Sequence, residues 1–315
     1  MAQSCSACGG DLRRILSMTA HRRLPDFIAV GPQRTGTTWL HKRLEGRVGL
    51  PQTKETDFFF KNFERGLDWY LDFFAACPDA MPMGEINPNY FGEAIACERI
   101  AATIPRCKII VSLRDPTERA WSSYRTMRRD AWTRAGFIET VTRNPVIRES
   151  SRYTFHLENW RRNFGADRVM VCLYDDLEAD PQAYLDRICQ FIGIGRIVIR
   201  GSAAATERVN TVTQAPRSRR LARGARGARD WLAMHRWHRF GRALDRLGVW
   251  RAAFAGGEEF GRMDPAAEAR LREHFLSEVE ALEKLLGRDL RTWKLPHPRE
   301  TGAGAPWKNS GGVRA

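Results

Sequence analysis

The stretch from Phe27 to Leu40 reads Phe-Ile-Ala-Val-Gly-Pro-Gln-Arg-Thr-Gly-Thr-Thr-Trp-Leu. A short apolar run ends at Gly31, a loop bounded by Gly31 and Gly36 follows, and a helical pattern starts at Thr37. Strand, glycine loop and helix start in that order constrain this chain more than any other feature. Such a loop aims backbone N–H groups at an anion, and the helix dipole adds partial positive charge there. The two glycines have the spacing of the nucleotide P-loop, but Thr37 stands where that motif has its lysine. The loop's cation is Arg34, just before the second glycine. The loop therefore suits a phosphate ester other than the usual triphosphate.

The rest of the chain repeats the alternation. Lys108–Leu113 and Val169–Tyr174 are continuous apolar runs, the mark of buried parallel strands. Helical patterns run from Thr37 to about Arg47 and over Gly66–Phe74, Phe91–Ile104, Pro116–Arg129, Tyr153–Phe164 and Pro181–Ile192. Gly84–Phe91 reads as a loop, with a turn signal at Asn87-Pro88-Asn89. This order predicts an α/β fold, a P-loop three-layer sandwich with a central parallel sheet between helices. The loops after Val30, Leu113 and Tyr174 then share the rim at the strands' carboxyl ends, where such sheets bind ligands.

Beyond that sheet, residues 200–251 are rich in arginine and tryptophan and show no strand signal. Pro265–Leu286 is an apolar-periodic helix with Gly287 just past its end, so the C-terminal region is helical. We read residues 1–23 as a flexible segment, 24–295 as one domain containing the basic region, and 296–315 as a disordered tail rich in glycine and proline.

The net charge of +14 over 315 residues asks for anionic partners. Seven scattered cysteines argue against a disulfide framework, and Cys5 and Cys8 have no second pair to complete a zinc site, so no metal is expected. The chain shows neither a signal-peptide core nor a membrane-spanning run, which predicts a cytoplasmic protein. Peripheral membrane contact stays open. Arg219, Arg223, Arg226 and Arg229, then Arg236, Arg239, Arg242 and Arg246, recur at helical steps, and Trp237, Phe240, Leu244 and Leu247 form an apolar face over the second stretch. That pattern fits a helix on an anionic membrane or a helix packed on the domain with its arginines in water.

Four blocks resemble the PAPS-dependent sulfotransferases, nearest to the branch with the heparan sulfate glucosaminyl N- and 3-O-sulfotransferases and their bacterial relatives. They are Gly31-Pro-Gln-Arg-Thr-Gly-Thr-Thr-Trp-Leu40, Lys54-Glu-Thr-Asp-Phe-Phe59 with Gly66-Leu-Asp-Trp-Tyr70, Gly84-Glu-Ile-Asn-Pro-Asn-Tyr-Phe91, and Leu113-Arg-Asp-Pro-x-x-Arg-Ala-x-Ser122. The similarity runs from roughly Phe27 to Trp293. It implies 3′-phosphoadenosine 5′-phosphosulfate as sulfuryl donor and no metal. Gln33, Arg34, Thr35, Gly36, Thr37 and Thr38 would hold the 5′-phosphosulfate, and Trp39 matches a position that packs on adenine, where plain core packing is the other reading. Arg114 and Ser122 match the 3′-phosphate ligands; a salt bridge of Arg114 with Asp115 or Glu118 is the alternative. Glu55 matches the general base, and Arg34 and Thr38 would stabilise the leaving phosphate.

Several positions depart from that pattern. Arg34 replaces the usual loop lysine, Ile86 replaces a lysine of the heparan branch, and Asp57 replaces a histidine that some relatives carry near the acceptor. The lysine-glycine loop over adenine has no match, and Arg208 and Asn210 stand in for it. The expected reaction is sulfuryl transfer to a hydroxyl or amine of a small molecule, glycan or glycolipid. A P-loop kinase or NTPase is the first alternative, opposed by Thr37 in the lysine position. A non-catalytic basic protein that binds a nucleotide or a membrane is the second; no nucleic-acid-binding motif is present.

Overall fold

The computed structural model describes residues 23–200, 212–234, 240–241, 243–244 and 247–296. Its centre is a four-stranded parallel sheet in the order β2-β1-β3-β4, made of β1 (Phe27–Val30), β2 (Gly84–Ile86), β3 (Lys108–Leu113) and β4 (Val169–Leu173).

The continuous apolar runs follow from burial on both faces. Ile28, Val30, Ile109, Val111 and Leu113 point into one core, with residues of the helices Ala94–Thr103, Tyr153–Phe164 and Pro265–Leu286. Phe27, Ala29, Ile110 and Cys172 point into the other, with the helices Thr37–Leu44 and Pro181–Ile192. Alternate residues thus serve opposite layers, and each large aliphatic side chain contributes about 1.5–3 kcal/mol of burial.

The helices stop where local chemistry ends them. Asp115 caps Pro116–Arg129 by accepting from the N–H groups of Thr117 and Glu118, and Gly287 closes Pro265–Leu286 in the left-handed conformation. The expected helix over Gly66–Phe74 is shorter, Leu67–Leu71 between two 3₁₀ turns.

Two expectations need correction. Gly84–Ile86 is not a loop but the edge strand β2, paired with β1. Three residues containing a glycine and a glutamate carry too little apolar signal to read as a strand. In the basic region, Gln214–Pro216 pairs antiparallel with Gly256–Glu259; two glycines and two glutamates hide the second strand. Among the described residues no helix is long and apolar enough to cross a membrane.

Candidate active site

β1 pairs with β2 on one side and β3 on the other, so the chain reverses its progress across the sheet at β1 and β3. Their carboxyl ends form the crevice where open parallel sheets bind ligands. Gly31 lies there with φ 135°, and a Cβ on it would come within 2.4 Å of the Ser112 carbonyl oxygen. Only glycine lets the loop cross β3 this closely. Gly36, with φ 89°, caps the Thr37–Leu44 helix next to Tyr174 and Leu177. The three loops predicted to share a rim therefore meet.

Between these glycines, Arg34 takes φ 76°, a conformation that a side chain adopts at a cost. Its Nε donates to Ser122 Oγ at 2.9 Å. Burial, then Arg129, Arg114 and Arg125, push its guanidinium down to about 10. Guanidinium groups gathered at a glycine loop repel one another until an anion enters. Arg125 and Arg129 lie three and seven residues after Ser122 in the same helix, Pro116–Arg129, which is spacing for one face. That spacing was the available signal for these two, which the sequence reading passed over.

Arg114 sits at the end of β3 with its guanidinium 4.5 Å from the Tyr174 ring centre and 3.5 Å from Glu118. The alternative pairing with Glu118 thus exists. Asp115 instead meets the buried Arg272 at 3.0 Å. Arg119, in the same motif block, is structural: it donates to the Tyr153 hydroxyl, which donates to the Arg114 carbonyl oxygen at 2.9 Å. The remaining loop residues are ordered around this centre. Thr35 is buried and donates to the Pro32 carbonyl, Thr37 is buried at the helix start, and Gln33 donates to Asn89. Trp39 is 4% exposed and packs edge-on to Tyr184, a core position. Arg208 and Asn210 lie outside the described residues.

Facing the glycine loop is the segment Lys54–Asp57. Lys54 Nζ bridges Glu55 Oε1 at 2.5 Å and Thr38 Oγ1 at 3.3 Å, which joins Glu55 to the loop. Glu55 and Asp57 both have positive φ, 65° and 51°. Asp57 accepts from Asn89 and from Lys61. With Gln33 donating to Asn89, a polar chain connects the two loops. Ile86 is 1% exposed and its side chain packs in the core.

The arginine-rich helix Arg219–Met234 is docked by part of its charge. Arg219 donates to the Thr133 and Ala131 carbonyl oxygens and Arg226 to that of Asp130, while Arg229 stacks on Phe254. Arg236, Arg239, Arg242, Arg246 and Trp237 fall outside the described residues. A cleft of about 440 Å³ lined by Arg23, Asp26, Arg106 and Lys108 lies at the amino ends of β1 and β3, the edge opposite this rim. No group of three or more potential metal ligands occurs among the described residues.

The model of a sulfotransferase family matches residues 68–196, which includes the Arg114–Ser122 block and leaves out the glycine loop. The bifunctional heparan sulfate N-deacetylase/N-sulfotransferase 4 of Mus musculus is 31% identical, over 54% of this chain and 22% of the relative. The corresponding enzyme 3 of Homo sapiens is 32% identical, over 55% of this chain and 22% of the relative. This chain thus spans about a fifth of the length of those curated relatives. A sulfotransferase crystal structure from Alicyclobacillus acidocaldarius superposes with a TM-score of 0.63 at 20% identity, covering 87% of this chain and all of the other, and so shares the fold. Over residues 68–196 the chain is thus similar to a sulfotransferase family, and its fold is that of a sulfotransferase of known structure.

Proposed function

We propose that the protein transfers a sulfuryl group from 3′-phosphoadenosine 5′-phosphosulfate to a hydroxyl or amine. One observation carries the reading. The buried Arg34 guanidinium bonds Ser122 inside a group of arginines, at the point where a glycine loop and a helix start face the same crevice. A donor with a 5′-phosphosulfate and a 3′-phosphate supplies anions to both ends of that group. The loop amides, Arg34 and Thr38 would hold the 5′ end, and Arg114 and Ser122 the 3′-phosphate, an arginine fork suiting the latter.

In this reading the acceptor oxygen or nitrogen attacks sulfur in line, and the bond from sulfur to the 5′-phosphate oxygen breaks. Glu55 takes the acceptor's proton, and adenosine 3′,5′-bisphosphate leaves with the added negative charge. Lys54, which bonds Thr38, and Arg34 stabilise that charge as it develops. The relatives named above act on heparan sulfate by their names, and a glycan amine is the first acceptor to try. Ile86 stands where the heparan branch has a lysine, and the loss of that cation favours an acceptor with less negative charge than a sulfated glycan.

The test is transfer from ³⁵S-labelled donor to N-desulfated heparan, amino sugars, glycolipids and simple alcohols, each in EDTA. We expect label in at least one acceptor class without magnesium. Transfer that stops without magnesium and runs from a nucleoside triphosphate would support a kinase.

Peripheral membrane attachment is a second element of the proposal. Leu221 and Trp231 are 66% and 48% exposed on the arginine-rich helix. Apolar residues among arginines suit an anionic lipid surface. Sedimentation with anionic vesicles at low salt decides it: a protein that stays in the supernatant has no such attachment.

A further inference from the structure

The block around β2 contains a carboxyl group that the reaction as described does not use. Glu85 is fully buried in the middle of β2. Its Oε1 accepts from the Thr56 N–H at 3.1 Å, the Thr56 hydroxyl at 2.7 Å and the Asn87 amide at 3.1 Å. Its Oε2 accepts from the Tyr70 hydroxyl at 2.8 Å, and the Tyr90 hydroxyl lies 3.2 and 3.3 Å from the two oxygens. Hydroxyls, an amide and a main-chain N–H surround it, with no cation in hydrogen-bond contact among the described residues. Burial raises its pKa and the donors act against that rise.

A carboxyl group held this way is costly to keep and needs a return. The return is visible at Thr56. Its N–H and hydroxyl are tied to Glu85, its carbonyl oxygen accepts from Asn62 Nδ2 at 2.9 Å, and its Oγ accepts from the Phe58 N–H at 3.2 Å. On either side of it stand Glu55 and Asp57, both in the left-handed region. Two strained residues around one residue fixed at every polar atom form a rigid kink, and strain of this kind persists only where the surroundings impose it. The kink sends the Glu55 carboxylate to Lys54, which also bonds Thr38 at the helix start behind the glycine loop, and the Asp57 carboxylate to Asn89.

We propose that Glu85 is a positioning residue of the reaction: through Thr56 it imposes the kink that aims Glu55 at the crevice. It touches neither donor nor acceptor and acts from beneath the loop. The proposal rests on the reading of Glu55 as the general base.

The test compares Thr56→Val, Glu85→Ala, Glu85→Gln and Glu55→Gln in the full chain. Turnover is read as release of labelled sulfate from 3′-phosphoadenosine 5′-phosphosulfate into water, which requires no identified acceptor. Adenosine 3′,5′-bisphosphate affinity and amide exchange over residues 55–58 are measured alongside. We expect Thr56→Val and Glu85→Ala to lose tenfold or more in turnover, to exchange those amides at least tenfold faster and to keep nucleotide affinity within twofold. Glu85→Gln keeps an oxygen for Thr56 and should recover much of the loss. Thr56→Val, which leaves the buried carboxyl in place, decides the matter if Glu85→Ala does not fold. Unchanged exchange in Thr56→Val, or faster exchange with turnover within twofold of wild type, overturns the proposal. If those variants and Glu55→Gln all keep wild-type turnover, the base assignment falls with it. If Glu55→Gln alone is inactive, only the positioning role falls.

Discussion

The glycine loop and the Lys54–Asp57 segment face each other across one crevice, yet they are held by opposite means. The glycine loop gathers like charge: Arg34 lies buried among Arg114, Arg125 and Arg129. The facing segment gathers hydrogen bonds around Thr56 and Glu85. Both contain residues with positive φ, Arg34 on one side and Glu55 and Asp57 on the other. The first side is left with repulsion that an anionic ligand relieves. The second is satisfied before any ligand arrives. On the proposed function, a donor side that trades folding stability for affinity would stand opposite an acceptor side arranged in advance for catalysis.

The sharpest attempt to break this contrast is Glu55→Gln. Turnover should fall by roughly 10²–10⁴, the range for a positioned base, while adenosine 3′,5′-bisphosphate affinity stays the same in calorimetry. Near-normal turnover would remove the catalytic role from that side of the crevice.

Arg34→Ala should act on the other side, lowering kcat by about 10²–10³ as for a lost charge-stabilising donor. Donor KM should rise by less, because the charge on the leaving phosphate grows in the transition state. Arg34→Lys should keep part of the activity. Steady-state kinetics showing a change in donor KM alone would reduce Arg34 to a binding residue.

A smaller effect is expected on stability. Arg34→Gly removes the buried charge and adopts the positive φ without strain, so the ligand-free protein should gain about 1 kcal/mol. Adenosine 3′,5′-bisphosphate should raise the Tm of wild type and much less that of this variant. Thermal melts with and without nucleotide check both halves. A variant less stable than wild type without ligand would contradict the account of the cradle as self-repelling.

Much of this was legible in the sequence, for identifiable reasons. Phe27–Val30, Lys108–Leu113 and Pro265–Leu286 fall where their apolar patterns and caps place them, because strands buried on both faces and long capped helices carry dense local signals. The meeting of Arg34 with Ser122 follows once the glycine loop and the β3 end share a rim. The edge strand β2 did not show, since pairing with β1 rather than its own composition makes it a strand. The Glu85 cluster was equally hidden. Thr56, Tyr70, Glu85 and Tyr90 come from separate segments, and only packing brings their polar atoms together.

The central claim is that the cradle reads a nucleotide with a 3′-phosphate through Arg114 and Ser122. The most direct measurement is titration calorimetry of wild type and Arg114→Ala with adenosine 3′,5′-bisphosphate and with adenosine 5′-monophosphate. Loss of a charge-assisted contact should cost the bisphosphate on the order of 1.5–3 kcal/mol, a tenfold to hundredfold drop in affinity. The monophosphate should bind both proteins alike. Equal losses for the two nucleotides, or no binding of the bisphosphate to wild type, would contradict the claim.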